Sequence, residues 1–209
     1  MGIGRRDFLK AFGATIAAYA AGPLQPVVLG GEYYINRSLG LAFRQPVGWN
    51  YISVKEFPKP KHDQVVEDNL ISEMLLSGSD PYVAMSRPNP GKPEMLPASM
   101  TAFAEDFFFE EGESLPEVPA IIARAMEFVL EDYELIGQGK IISLSGTESV
   151  EYYSRFRFVT SEFSALTRQR SVVGVRRGAI FTFNFFDYPE IGVDGQADFS
   201  SILRSVTYA

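Results

Sequence analysis

Hydrophobic and polar positions alternate in twos along the last third of the chain. Residues 140–144, 148–159, 166–175 and 179–186 carry apolar side chains at roughly every second place, the period of a half-buried strand. Arg176-Arg177-Gly178 divides the last two runs and suits a tight hairpin turn. Shorter runs near the start read the same way. Residues 33–35 and 41–45 are two strands. Trp49, Tyr51 and Ser53 alternate with Asn50, Ile52 and Val54 after the Pro46-Val47-Gly48 turn. Residues 82–86 form a further strand.

Between these runs the period lengthens to that of a helix. Asp63 caps a predicted helix that carries Val66, Leu70, Ile71, Met74 and Leu75 on one side. Ser99 caps a second, with Met100, Phe103 and Phe107 in a stripe. Ser114-Leu115-Pro116-Glu117 has the spacing of a capping box and opens a third, with Val118, Ile121, Ile122, Ala125 and Val129 inward. Residues 197–203 form a last helix that buries Phe199, Ile202 and Leu203. The stretch 87–97 holds four prolines and reads as an exposed loop. Strands joined by hairpins and covered by helices make an α+β layered domain.

Composition narrows the chemistry. The chain has 209 residues, with 19 basic and 26 acidic side chains. An acidic balance argues against nucleic acid as a partner. With no cysteine there is no disulfide, thiolate metal site or cysteine nucleophile. Seventeen Phe and ten Tyr are too many for a disordered chain.

The N-terminus is a targeting segment. Arg5-Arg6-Asp7-Phe8-Leu9-Lys10 is a charged stretch followed by a mild apolar run, 11–21, too short and too weakly apolar to span a bilayer. It resembles the twin-arginine (Tat) translocation signal, in which Arg5, Arg6, Phe8, Leu9 and Lys10 occupy the fixed positions; Gly4 stands where Ser or Thr is usual. Ala18 and Ala20 give the small-x-small form that predicts cleavage after Ala20, though an uncleaved anchor stays open. Residues 1–20 are thus expected to be the signal, 21–31 a linker and 32–209 a single domain. The expected location is the periplasm or thylakoid lumen, with no stable membrane insertion after cleavage.

Leu39-Gly40-Leu41-Ala42-Phe43-Arg44-Gln45-Pro46-Val47-Gly48-Trp49 resembles the opening of PsbP-like domains, a Gly-x-x-Phe strand followed by Pro-x-Gly-Trp. The closing hairpin, helix and Ser205-Val206 also fit. The resemblance implies a three-layer α/β/α sandwich with a central, mostly antiparallel sheet, as in related DcrB-type domains. It implies no shared catalytic motif or cofactor, and a role in assembling or stabilising a larger complex, photosystem II among the candidates. One departure is the presence of two helices in 99–132, where about one is expected.

Candidate binding residues follow from charge and pattern. Arg155 and Arg157 share one strand face and, opposite Arg168 and Arg170, predict a local basic patch for a protein partner; a solvated charged face is the plainer account. Phe109 and Phe186 fall off their apolar stripes and are further partner candidates. His62, the only histidine, sits in a Lys-Pro loop poorly suited to a catalytic triad. Glu105, Asp106, Glu110, Glu111 and Glu113 are numerous enough for calcium, but the Asp-x-Asp-x-Asp-Gly spacing is absent. Glu148 and Glu151, three apart in a strand, face opposite sides and form no acid/base pair. Met85, Met95 and Met100 are spaced for core filling rather than copper. The expectation is therefore an exported, non-enzymatic domain with no metal and no cofactor that binds a protein partner. A small-ligand carrier with an aromatic-lined pocket is the alternative, and a carboxylate hydrolase the third reading.

Overall fold

The computed structural model describes residues 32–36, 39–52, 81–88, 96–106, 114–128, 130–159 and 164–208. The signal, the linker, the helix predicted after Asp63, His62, Phe109 and Glu110–Glu113 lie outside them. In chain order the elements are β1 Tyr33–Asn36, β2 Leu41–Arg44, β3 Asn50–Tyr51, β4 Val83–Arg87 and β5 Ala98–Asp106. A 3-10 turn, Leu115–Glu117, leads into α1 Val118–Met126. Then come β6 Glu131–Leu144, β7 Thr147–Val159, β8 Ser164–Arg176 and β9 Ala179–Asp187. A second 3-10 turn, Pro189–Ile191, precedes α2 Gln196–Ser205 and β10 Thr207–Tyr208.

Seven strands form one antiparallel sheet in the order β3-β4-β5-β9-β8-β7-β6, and β1-β2-β10 form a small second one. Because side chains alternate across a strand, the large sheet has two distinct faces. On the near face, Met85, Met100, Phe183, Phe185 and Val172 join Leu41 and Phe43 of β2 and Phe199 and Ile202 of α2 in one core cluster. Phe185 and Phe199 have ring centroids 4.9 Å apart. On the far face α1 sets Val118, Ile122 and Met126 on Val150, Val173 and Ile180. Two helices on opposite faces of a central sheet make the three-layer sandwich that the sequence implies.

The hairpins obey local rules. Ser145-Gly146 and Arg177-Gly178 are two-residue turns with positive φ at both positions, the form that matches strand twist. Ser114 and Glu117 form the expected capping box. At Gly139 an added Cβ would stand 2.7 Å from both Pro119 Cγ and Val150 Cγ2, so the absent side chain lets the start of α1 sit on the sheet.

Two expectations need correction. Ala98–Asp106 is a central strand, not a helix capped by Ser99. It lies between β4 and β9, with Met100 between Met85 and Phe185. Both of its faces are covered: Met100 and Ala102 point one way, Thr101 and Phe103 the other, and all four are buried. A strand buried on both sides loses the clean alternation that identifies one. Glu105 and Asp106 therefore end a strand rather than a helix, and the apparent second helix before the C-terminal sheet disappears. β6 also starts earlier than expected, at Glu131, because Gly137 marks an irregularity inside the strand rather than its beginning.

Candidate functional site

The four candidate arginines come together on the near face, at the β6-β7-β8-β9 end. Arg155 stands directly opposite Arg168 across β7 and β8, and Tyr153 opposite Arg170. Each arginine has an acidic partner. Arg155 Nε donates to Glu134 on β6 at 2.7 Å, and Arg157 Nε to Asp132 at 3.3 Å. Arg170 Nε donates to Glu151 at 2.7 Å and its Nη1 to Ser200 of α2 at 2.8 Å, with the guanidinium 5.8 Å from the centre of the Tyr153 ring. Arg168 makes a two-pronged bond to Asp187, at 2.8 and 2.7 Å, and reaches Asp194 at 3.2 Å. Hydrogen bonding to Asp187 raises the Arg168 pKa above its ordinary value.

This pairing corrects the expected basic patch. Five carboxylates balance four guanidinium groups, so the strip offers no net positive field to an acidic partner. The pairs differ in kind. Arg155–Glu134 is about half exposed on each side chain and adds little stability. Asp187, by contrast, is fully buried and also accepts from Gly195 N at 3.0 Å and Gln196 Nε2 at 3.1 Å. It ties β8, β9 and the start of α2 into one corner.

Sequence reasoning missed a second corner. Asp198, in the first turn of α2, accepts from Trp49 Nε1 at 3.0 Å and from Arg87 Nη1 at 2.8 Å; Arg87 Nη2 reaches the Asp194 carbonyl at 2.7 Å. A carboxylate there also suits the helix dipole. The Pro46–Trp49 turn therefore serves to hold α2, with Gln45 Nε2 bonded to the Trp49 carbonyl. The aromatic candidate Phe186 is 6% exposed, enclosed on the far face between Ser99 and Gln169, and presents nothing to a partner. Met85 and Met100 face each other in the core, as their spacing predicts. Among the described residues, no group of three or more His, Cys, Asp or Glu side chains is placed to hold a metal. No described helix is long and apolar enough to cross a membrane.

One open surface feature among the described residues is the β6 edge of the large sheet. β6 is terminal in the strand order, and its outer side pairs with no other described strand. Ile136 and Ile141 on it are 43% and 42% exposed. Its first half is interrupted by register shifts between Glu131 and Glu134 and between Ile136 and Lys140. From Lys140 to Leu144 the register is regular, and that stretch carries no acid.

No family model matches the sequence, and no curated protein matches it. The fold does have counterparts among solved structures. Cyanobacterial PsbP (CyanoP) from Synechocystis sp. PCC 6803 is similar over 90% of this chain and 100% of that one, at 15% identity and a TM-score of 0.51. The fold is PsbP-like. LpqN of Mycobacterium tuberculosis, described as involved in cell envelope biogenesis, is similar over 80% of this chain and 82% of that one, at 15% identity and a TM-score of 0.44. The Leu39–Trp49 stretch that carries the sequence resemblance is β2, its turn and the tryptophan that holds α2 to the PsbP-like sheet.

Proposed function

We propose that this chain is an exported, non-catalytic binding domain that acts in the periplasm or thylakoid lumen and receives a protein partner along the open edge of β6. The observation that carries the reading is the Lys140–Leu144 stretch. An unprotected strand edge offers a row of backbone donors and acceptors, and an extended peptide can add to it as a further strand. The first half of β6 is guarded by bulges and by Glu131, Asp132 and Glu134, the usual defences against unwanted pairing. The second half has a regular register and a single charge, Lys140 at its start, and exposes Ile141. The paired arginines beside it serve register and stability. The PsbP-like fold is compatible with a non-enzymatic role, and the Arg5-Arg6-x-Phe8-Leu9-Lys10 core supports export through the twin-arginine route.

A photo-crosslinking residue at Ile141 tests the edge in living cells, with the same probe at the exposed Ala120 of α1 as control. A discrete adduct from 141 alone supports the reading; equal labelling from both positions, or none from 141, overturns it. Export is tested separately. Changing Arg5 and Arg6 to Lys should hold the precursor in the cytoplasm, and normal maturation of that variant would exclude the twin-arginine route.

A further inference from the structure

Side chains on an edge strand meet their paired neighbour on one side and an incoming strand on the other. Over the regular part of β6 the inner neighbour is β7, with Lys140 opposite Glu151, Ile141 opposite Val150 and Ile142 opposite Ser149. Lys140, Ile142 and Leu144 lie on the near face, and Ile141 and Ser143 on the far face. Glu151 is committed to Arg170, whose Nε donates to it at 2.7 Å, and the two side chains are only 14% and 12% exposed. Lys140 is exposed and forms no ion pair among the described residues.

Charge is divided along this edge. Glu131, Asp132 and Glu134 stand before the last register shift, and Lys140 is the only charged residue after it. An acid placed opposite Lys140 gains a cross-strand ion pair, whereas the same acid moved along to Glu134 meets like charge. Beyond Lys140 the edge is aliphatic on both faces. Ile141 is 42% exposed on the far face, and Ile142 is half-buried against the near-face core cluster. The five residues Lys140–Leu144 span roughly 17 Å, the reach of one short extended segment. A second copy of this edge is a poorer match. Antiparallel self-pairing over the same residues sets Lys140 opposite Leu144 of the copy and brings no acid.

We propose that this edge selects an extended peptide that runs antiparallel to β6, with an acidic side chain opposite Lys140 and aliphatic side chains opposite Ile141 and Ile142. The inference rests on the reading of the β6 edge as a docking site and adds the chemistry of what is docked. Antiparallel pairing continues the arrangement of every pair in the large sheet and is the more stable kind per residue. From its N-terminus the peptide sets one aliphatic residue opposite Ile142 on the near face, a second opposite Ile141 on the far face, and then the acid opposite Lys140. Its main chain supplies affinity through backbone hydrogen bonds, and these three side chains supply the choice of partner. A slip of one residue turns all three to the wrong face, so the pattern also fixes the register.

The test titrates the isotope-labelled full-length chain with two cyclised hairpin peptides, followed through the backbone amide resonances of Lys140–Leu144. One strand of each hairpin reads Val-Thr-Val-Val-Glu or Val-Thr-Val-Val-Lys, and cyclisation lowers the cost of ordering it. The Glu hairpin should shift these resonances saturably and bind about fivefold tighter than the Lys hairpin at low salt, with the gap closing as salt is added. Lys140→Glu should reverse the order, and Lys140→Gln should abolish the preference. Equal binding of the two hairpins at these resonances overturns the peptide assignment and leaves the docking edge standing. A preference that survives Lys140→Gln overturns it as well, because the acid then sits elsewhere. No shift from either hairpin also overturns it, and the crosslink from position 141 decides separately whether the edge docks a partner at all.

Discussion

Removing the Asp187 carboxylate should unlock the corner that joins β8, β9 and α2. The side chain is fully buried and accepts from Arg168 Nε and Nη2, from Gly195 N and from Gln196 Nε2. Breaking a buried ion pair by deleting one member typically costs about 3–5 kcal/mol. Here the Arg168 side chain is 31% exposed, so water recovers part of its charge, and the lower end, about 3 kcal/mol, is expected for Asp187→Ala. With a urea slope of about 2 kcal/mol per molar, the unfolding midpoint should fall by about 1.5 M. Arg168→Ala leaves the carboxylate with its other two donors but no counter-charge, and should cost a similar amount. The double variant should lose clearly less than the two single losses combined, with a coupling of about 2 kcal/mol. Trp49, the only tryptophan, reports on the same region through its bond to Asp198 and makes fluorescence a suitable probe. A midpoint shift under about 0.5 M for Asp187→Ala, or additivity of the two substitutions to within about 0.5 kcal/mol, would refute this account of the corner.

Three further outcomes follow from the packing. Burial raises the pKa values of Tyr34, Tyr51 and Tyr208 to about 12 from an ordinary 10, so their neutral forms are favoured in the folded state. Stability from them is intact below pH 10 and is lost as pH rises toward about 12, where the unfolded chain ionises first; tyrosinate absorbance measured alongside unfolding should show ionisation and loss of fold together. Ala102→Pro places a ring and a missing N–H in a central strand paired on both sides, and should cost about 3 kcal/mol or more; wild-type thermal stability in this variant would contradict the strand. Trp49→Phe keeps the contact with Phe199 but removes the donor to Asp198, for a loss of about 1–3 kcal/mol in denaturant titration.

The C-terminal sheet was legible because its strands are half-buried and its turns are chemically explicit. The period-two pattern over β7, β8 and β9 and the Arg177-Gly178 turn are properties of a few neighbouring residues. β5 was not legible, for the opposite reason. Met100 and Phe103 are three apart and both buried, which imitates a helical stripe, yet they point to opposite faces of a strand covered on each side. Only the neighbours β4 and β9, distant in sequence, decide between the two.

The arginine strip shows how far counting along strands can go. Arg176 faces Ala179 across the β8–β9 turn, and eight steps further along each strand bring Arg168 opposite Asp187. That pair was therefore within reach of the sequence once the turn was placed. The same count fails on the other side. Leu144 faces Thr147 across the β6–β7 turn, and an uninterrupted ladder would bring Ile136 opposite Arg155. The register shift between Ile136 and Lys140 instead brings Glu134 there. Without that irregularity the outer arginine would face an aliphatic side chain and the strip would carry unpaired positive charge. The bulge thus does two things at once. It supplies the acid that closes the arginine strip, and it confines the regular, unguarded part of the β6 edge to Lys140–Leu144. A surface that reads as a cationic patch by composition becomes, through a local change of register, a neutral strip beside a short open edge.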